Sequence, residues 1–218
     1  MLRRLPPVRL WSAPTFRACE RRFPSTWSDR SEVDTFCPRT SWISPRWNTS
    51  AASPAEHIVV NNAFAAEVHP LADFPLEVFD RMVSVNIRGA WIAVQAAEPH
   101  LGEGGRIINI GSVFAQRQPP GSMAGIAAYN LTKAALEGMA RGLARELAPR
   151  GITANTVLPG AVDTEALPAH MAELISQWAP AGRLATTAEV ANTVSFLASE
   201  DASFVTGVSL PVDGGFAA

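Results

Sequence analysis

No glycine occurs before Gly89, the first of 15 in a chain of 218 residues. A turn that brings backbone amides against a phosphate needs residues without a Cβ, and the first 88 residues have none to offer. Tyrosine and lysine are almost absent too: Tyr129 and Lys133 are the sole examples, and every other basic side chain is arginine. The two cysteines, Cys19 and Cys37, stand outside any Cys-x-x-Cys spacing and suggest neither a zinc site nor a disulfide framework. His57, His69, His100 and His170 are scattered, lack ligand-like spacing and read as solvated surface positions, so no metal site is expected. No apolar run reaches the roughly eighteen residues a membrane span requires, and no membrane partner is expected. A net charge of −2 leaves no electrostatic footprint for nucleic acid. A serine-hydrolase elbow is also missing, because Gly121-Ser122-Met123-Ala124-Gly125 carries its serine one place too early.

What is present divides near His57. Residues 1–57 hold both cysteines, four of the six tryptophans, nine arginines and seven prolines. The prolines interrupt any periodicity, so this segment reads as an irregular or disordered tail. Three origins fit it. A transit peptide is opposed by Glu20, Asp29, Glu32 and Asp34. A genuine unstructured extension is the second, and a wrong start site or shifted frame, which replaces folded sequence with compositional noise, fits best. Residues 58–218 are of a size to fold as one domain.

From Ile58 the pattern is regular. Ile58–Val60, Arg106–Ile110, Ile152–Val157 and Val208–Val212 read as short strands. Helical spacing runs through Phe79, Met82, Val83, Ile87, Ala90, Trp91 and Val94, predicting a helix over about 76–98. A second long helix, about 127–148, ends at the stop signals Pro149 and Gly151, with Glu137–Arg141 and Glu146–Arg150 as i, i+4 pairs on its polar side. Thr186 and Glu189 form a capping box that opens a third. Alternating strands and helices predict an α/β fold with helices on both faces of a parallel sheet.

On the second helix Tyr129 and Lys133 are four residues apart and therefore share a face. A neighbouring ammonium favours phenolate and is expected to lower the tyrosine pKa from about 10, as a general acid/base requires. The competing reading is a surface helix with an exposed phenol and a solvated ammonium.

Seven pieces decide between these readings: Asn61-Asn62-Ala63, Val85-Asn86-Ile87-Arg88-Gly89, Ile108-Asn109-Ile110-Gly111-Ser112, Tyr129-x-x-x-Lys133, Pro159-Gly160-Ala161-Val162-Asp163-Thr164, Val205-Thr206-Gly207 and Val212-Asp213-Gly214-Gly215. In this order they resemble the C-terminal two-thirds of a short-chain dehydrogenase/reductase, most nearly the 3-oxoacyl-thioester reductase branch. The resemblance implies a Rossmann-like, doubly wound parallel sheet, N-terminally incomplete here. It implies an NAD(P)-dependent oxidoreductase of the cytoplasm, acting on a small-molecule carbonyl or secondary alcohol and assembling as a homo-oligomer, dimer or tetramer. Tyr129 would exchange the proton and Ser112 would hydrogen-bond the substrate oxygen. Lys133 would hold the cofactor's ribose hydroxyls, and Asn86 would anchor a water linking Lys133 to solvent. Asn62, Ala63, Tyr129, Lys133, Pro159, Gly160, Val162 and Thr164 would line the NAD or NADP site; the sequence does not choose between the two.

Three departures from the family pattern stand out. Ser112 and Tyr129 are seventeen positions apart, which Pro119-Pro120-Gly121 explains as a longer loop, leaving Ser122 as a lower-ranked alternative serine. Phe64 stands where the family usually has glycine and would crowd the cofactor-facing backbone unless its ring turns away. The glycine-rich phosphate turn is absent, so cofactor binding in the millimolar range or weaker is expected, and Ile58–Val60 is expected to be an exposed edge strand. The same absence keeps a second reading open: a non-catalytic reductase remnant that is inert or serves as an assembly partner. Residues Glu165 to Arg183, with Met171, Leu174, Ile175 and Trp178, read either as an apolar lid over substrate or as ordinary helix packing.

Overall fold

The structure, a computed structural model, describes residues 42–43, 58–118, 125–164, 167 and 169–218. Five strands form one sheet: β1 (Trp42–Ile43), β2 (Ile58–Asn61), β3 (Arg106–Ile110), β4 (Thr153–Pro159) and β5 (Ser209–Val212). They lie in that order; β2 to β5 are mutually parallel and β1 is antiparallel to β2. The helices are α1 (Leu76–Val83), α2 (Ala90–Ala97), α3 (Ala127–Leu147), α4 (Ala169–Ser176) and α5 (Thr187–Ala198).

Alternation along the strands sends side chains to two cores. Val59, Ile107 and Ala154 are in register across β2, β3 and β4 and face Val94 and Ala97 of α2 with Leu143, Ala144 and Leu147 of α3. Ile108 and Val157 turn the other way and meet Val194 and Leu197 of α5, with Ile58, Val60 and Ile110 at the margin. Burial of each such aliphatic side chain contributes about 1.5–3 kcal/mol. Helices therefore cover both faces, as the alternating pattern predicts. α3 stops where Pro149 ends its hydrogen bonding and Gly151 takes a left-handed φ of 71°.

Four features differ from the sequence reading. The expected open edge at Ile58–Val60 is partly covered, since Trp42 pairs with Val60 and Ile43 with Val59; two residues of a proline-interrupted segment give no periodicity by which to recognise them. The helix expected over about 76–98 is interrupted by a π-helical turn, Ser84–Gly89, between α1 and α2. Such a turn inserts a residue into the helical repeat and re-aims the side chains it carries, Asn86 among them. Arg150 does not pair with Glu146. It reaches Glu98 and the Leu101 carbonyl oxygen (2.7 Å) instead, tying the end of α3 to the end of α2. His69 is half-buried, 3.3 Å from Glu67 and edge-on to Phe74, rather than freely solvated.

Because β2 to β5 are parallel, their carboxyl ends lie along one edge of the sheet. Asn62 and Ala63 follow β2 there, Gly111 and Ser112 follow β3, and Gly160 to Thr164 follow β4. In open parallel sheets that edge is where ligands bind.

Candidate active site

Ser112 leaves β3 in an extended conformation (φ −163°, ψ 143°) and caps a short 3-10 turn, its Oγ accepting from the Phe114 amide at 3.2 Å. Gly111 before it is required by packing rather than by φ. A Cβ there would fall 2.6 Å from Leu158 Cδ2 and 2.9 Å from Thr156 Cγ2. Tyr129 stands in the first turn of α3, and the Ser112 side chain is near enough to its hydroxyl to act downward on the Tyr129 pKa.

One turn further along α3, Lys133 is 1% exposed, and its ammonium donates to the Ile110 carbonyl oxygen at 2.8 Å. The nitrogen lies 5.8 Å from the Tyr129 ring centroid and 5.0 Å from that of Phe64. Burial lowers the Lys133 pKa to about 8. Tyr129 is raised from its ordinary value, burial being the larger cause and the Ser112 hydrogen bond acting downward. The expected depression of Tyr129 by Lys133 is thus reversed. The ammonium is directed to a backbone carbonyl, and desolvation of the phenol outweighs the charge on its neighbour.

Asn86, 1% exposed, is clamped on both sides. Its Oδ1 accepts from the Ala65 amide at 2.7 Å, while Nδ2 donates to the Ala65 carbonyl (2.9 Å) and to Thr132 Oγ1 (2.8 Å). Thr132 donates in turn to the Tyr129 carbonyl oxygen at 2.8 Å. The loop after β2, the π turn and the first turns of α3 are therefore one hydrogen-bonded unit. Both Nδ2 protons are used, and only the second lone pair of Oδ1 remains for a water.

The structure thus brings Ser112, Tyr129 and Lys133 together directly and joins Asn86 to them through Thr132. Asn62 (exposed), Ala63, Pro159, Gly160, Val162 and Thr164 lie at the same sheet edge. Among the described residues, none of these six hydrogen-bonds Tyr129 or Lys133 through its side chain. The loop from Pro159 is instead fixed to β5 and to Ala185. Gly160 donates to the Val212 carbonyl oxygen at 3.0 Å, and Asp163 donates to that of Ala185 at 2.8 Å. Ser122 lies outside the described residues, as do Pro119-Pro120-Gly121 and the side chains of Met171 and Leu174. Ile175 is 8% exposed, and Trp178 packs edge-on against Phe114 with centroids 6.1 Å apart, beside Phe216. Trp178 belongs to the cluster of Val113, Leu158 and Phe216, and with Ile175 it also lines a pocket beside Phe114 and Val212.

A polar row was not anticipated. Asn61, Asn109 and Thr156 are in register across β2, β3 and β4 and are all buried. Asn61 Nδ2 donates to Asn109 Oδ1 at 2.8 Å, and Asn109 Nδ2 and Thr156 Oγ1 donate to the Leu136 carbonyl oxygen at 3.2 and 3.3 Å. This row pins α3 to the sheet one turn beyond Lys133. A single asparagine adjoining the aliphatic run of each of β2 and β3 was the available signal, since a buried amide needs partners.

Comparison with known proteins identifies the family. The family model described as enoyl-(acyl carrier protein) reductase matches residues 50–217. The chain belongs to the short-chain dehydrogenase/reductase family. It is 42% identical over 168 residues to the cyclic-di-GMP-binding biofilm dispersal mediator protein of Escherichia coli K12, covering 76% of this chain and 70% of that one. It is 40% identical over 167 residues to the 3-oxoacyl-(acyl-carrier-protein) reductase MabA of Mycobacterium bovis, covering 74% and 66%. A blue fluorescent protein from a metagenomic library, solved in complex with NADPH, superposes with a TM-score of 0.71 at 43% identity over 76% of this chain and 66% of that one. The chain therefore spans about two thirds of the length of these relatives.

Proposed function

We propose that the described domain, residues 58–218, carries the catalytic half of an NAD(P)-dependent oxidoreductase that interconverts a carbonyl and a secondary alcohol, with a 3-oxoacyl thioester as the substrate class. One observation carries the reading: Ser112, Tyr129 and buried Lys133 converge at the carboxyl edge of a parallel sheet. The 3-oxoacyl preference rests on the likeness to MabA.

The residues present fit the nicotinamide-ribose half of such a cofactor. Lys133 uses one ammonium proton on Ile110, and the remaining donors suit a pair of vicinal hydroxyls. The bound cofactor would supply hydride to the carbonyl carbon or accept it from the alcohol. Tyr129 gives its phenolic proton to the carbonyl oxygen as charge develops there, and its raised pKa keeps that proton in place at neutral pH. Ser112 donates to the same oxygen and orients it. Asn86 positions the assembly through Ala65 and Thr132, with the free Oδ1 lone pair available to a water on the route from Lys133 to solvent. Asn62, Ala63 and the loop from Pro159 through Gly160 and Val162 to Thr164 would line the cofactor.

A homo-oligomer is part of this reading. Gly138 and Gly142 on α3 have open space where a Cβ would stand, and Leu131 on α3 and Trp91 on α2 are about half exposed. Among the described residues no helix is long and apolar enough to cross a membrane.

The test is turnover of an acetoacetyl thioester with NADPH, together with a calorimetric NADPH titration of the 218-residue chain. Because no glycine precedes Gly89, binding with a Kd of about 1 mM or weaker is expected. Tyr129→Phe should reduce turnover about 100-fold or more while leaving that Kd within about threefold. Folded protein with no Tyr129-dependent turnover at saturating NADPH would reject the reading.

A further inference from the structure

Phe64 is 53% exposed, an unfavourable position for an aromatic ring in water, while the Lys133 ammonium below it is almost wholly buried. The ring centroid is 5.0 Å from Lys133 Nζ, nearer than the Tyr129 ring at 5.8 Å, and the two rings meet edge-on at 68° with centroids 6.3 Å apart. The ammonium is thus enclosed by the Ile110 carbonyl on one side and two aromatic rings on the others. The backbone beside Phe64 is held firmly, because Asn86 bonds both the amide and the carbonyl of Ala65. Rotation of the Phe64 side chain about χ1 is therefore the motion that uncovers Lys133 without breaking those bonds.

We propose that the Phe64 ring is a lid on Lys133 that competes for the ammonium with the vicinal diol of a ribose and must swing outward before the diol engages. The proposal rests on the reading of Lys133 as a diol-binding residue. Phe64 is then a positioning residue: it sets the exposure and the apparent affinity of Lys133 without touching the reacting atoms.

Lys133 is the only lysine, so amine-selective acylation read by peptide mass mapping reports on it alone, with the terminal amine resolved as a separate peptide. A cation–π contact and its cover are expected to slow acylation about tenfold, so Phe64→Ala should label about ten times faster than the native chain. Phe64→Leu keeps apolar bulk on the loop but has no ring face, and should label at least about threefold faster. NADPH should protect Lys133 in Phe64→Ala at about one tenth of the concentration the native chain needs. Labelling within twofold of native in a folded Phe64→Ala or Phe64→Leu chain would overturn the lid. So would equal protecting concentrations, or no protection in Phe64→Ala. Turnover separates this from the parent reading, since labelling needs no chemistry. Tyr129-dependent turnover with unchanged labelling defeats the lid alone, and faster labelling with a lowered protecting concentration but no turnover defeats the oxidoreductase alone.

Discussion

The ammonium of Lys133 donates to the carbonyl oxygen of Ile110, 2.8 Å away, and so joins α3 to the last residue of β3. This bond keeps a charge inside the protein that water would otherwise solvate, and its consequence is a pH dependence of stability. With its folded pKa lowered to about 8 by burial, Lys133 releases its proton in the folded chain before it does in the unfolded one. Between pH 8 and the unfolded value near 10.5 the unfolded chain binds more protons, so stability rises with pH across that window. The rise attributable to this group is on the order of 3 kcal/mol. Tyr129 acts oppositely: its raised folded pKa makes stability fall once pH exceeds 10 and the unfolded phenol ionises first. Lys133→Met should be more stable than the native chain at pH 7 and should lose the rise. Urea midpoints at pH 7.5 and 9.5 decide it, and equal pH slopes in the two proteins would refute the assignment.

Asn86 is expected to be the costliest polar truncation in the described domain. Asn86→Ala leaves the Ala65 amide and carbonyl and one bond of Thr132 without their partner, at about 3 kcal/mol. Asn86→Asp keeps the acceptor for the Ala65 amide but sets a carboxylate oxygen against a carbonyl, and should rescue less than half of the loss. Denaturant unfolding measures both; a cost under about 0.5 kcal/mol for Asn86→Ala would show the loop is held otherwise.

Gly111→Ala tests whether packing alone demands glycine before Ser112. The added methyl overlaps Leu158 and Thr156, so a cost of about 1–3 kcal/mol is expected. Ser112 should shift with it, and turnover should fall more than NADPH affinity. A stable variant with native turnover would mean that the β3–β4 spacing relaxes freely.

Gly138→Leu probes assembly. With open space at Gly138, the larger side chain fits the single chain and removes a helix-interior glycine worth roughly 1 kcal/mol. Light scattering of the native chain should show an oligomer and that of the variant a smaller species. An unchanged mass would place the interface elsewhere than on α3.

The order of strands and helices followed from patterns that need no partner: short runs rich in aliphatic residues in β2 to β5, a 3.6-residue repeat in α3, and Pro149 with Gly151 to end it. Tyr129 and Lys133 were visible for a similar reason, since four residues on a helix fix which groups share a face. Their protonation was not visible, because it depends on desolvation and on Ile110, a carbonyl 23 positions away. The π turn escaped notice because the apolar residues on either side of it still recur at an approximately helical spacing in sequence, while the change lies in the backbone hydrogen bonding of Ser84–Gly89. Local spacing thus determined the elements and the Tyr129–Lys133 pair, while Ser112 and Asn86 became candidates only through the family resemblance. Only the tertiary structure decided that Asn86 is a clamp, that Asn61, Asn109 and Thr156 form one buried row, and that Phe64 lies over Lys133. Each of those facts is a contact between segments whose separation in the chain carries no trace of their distance in space.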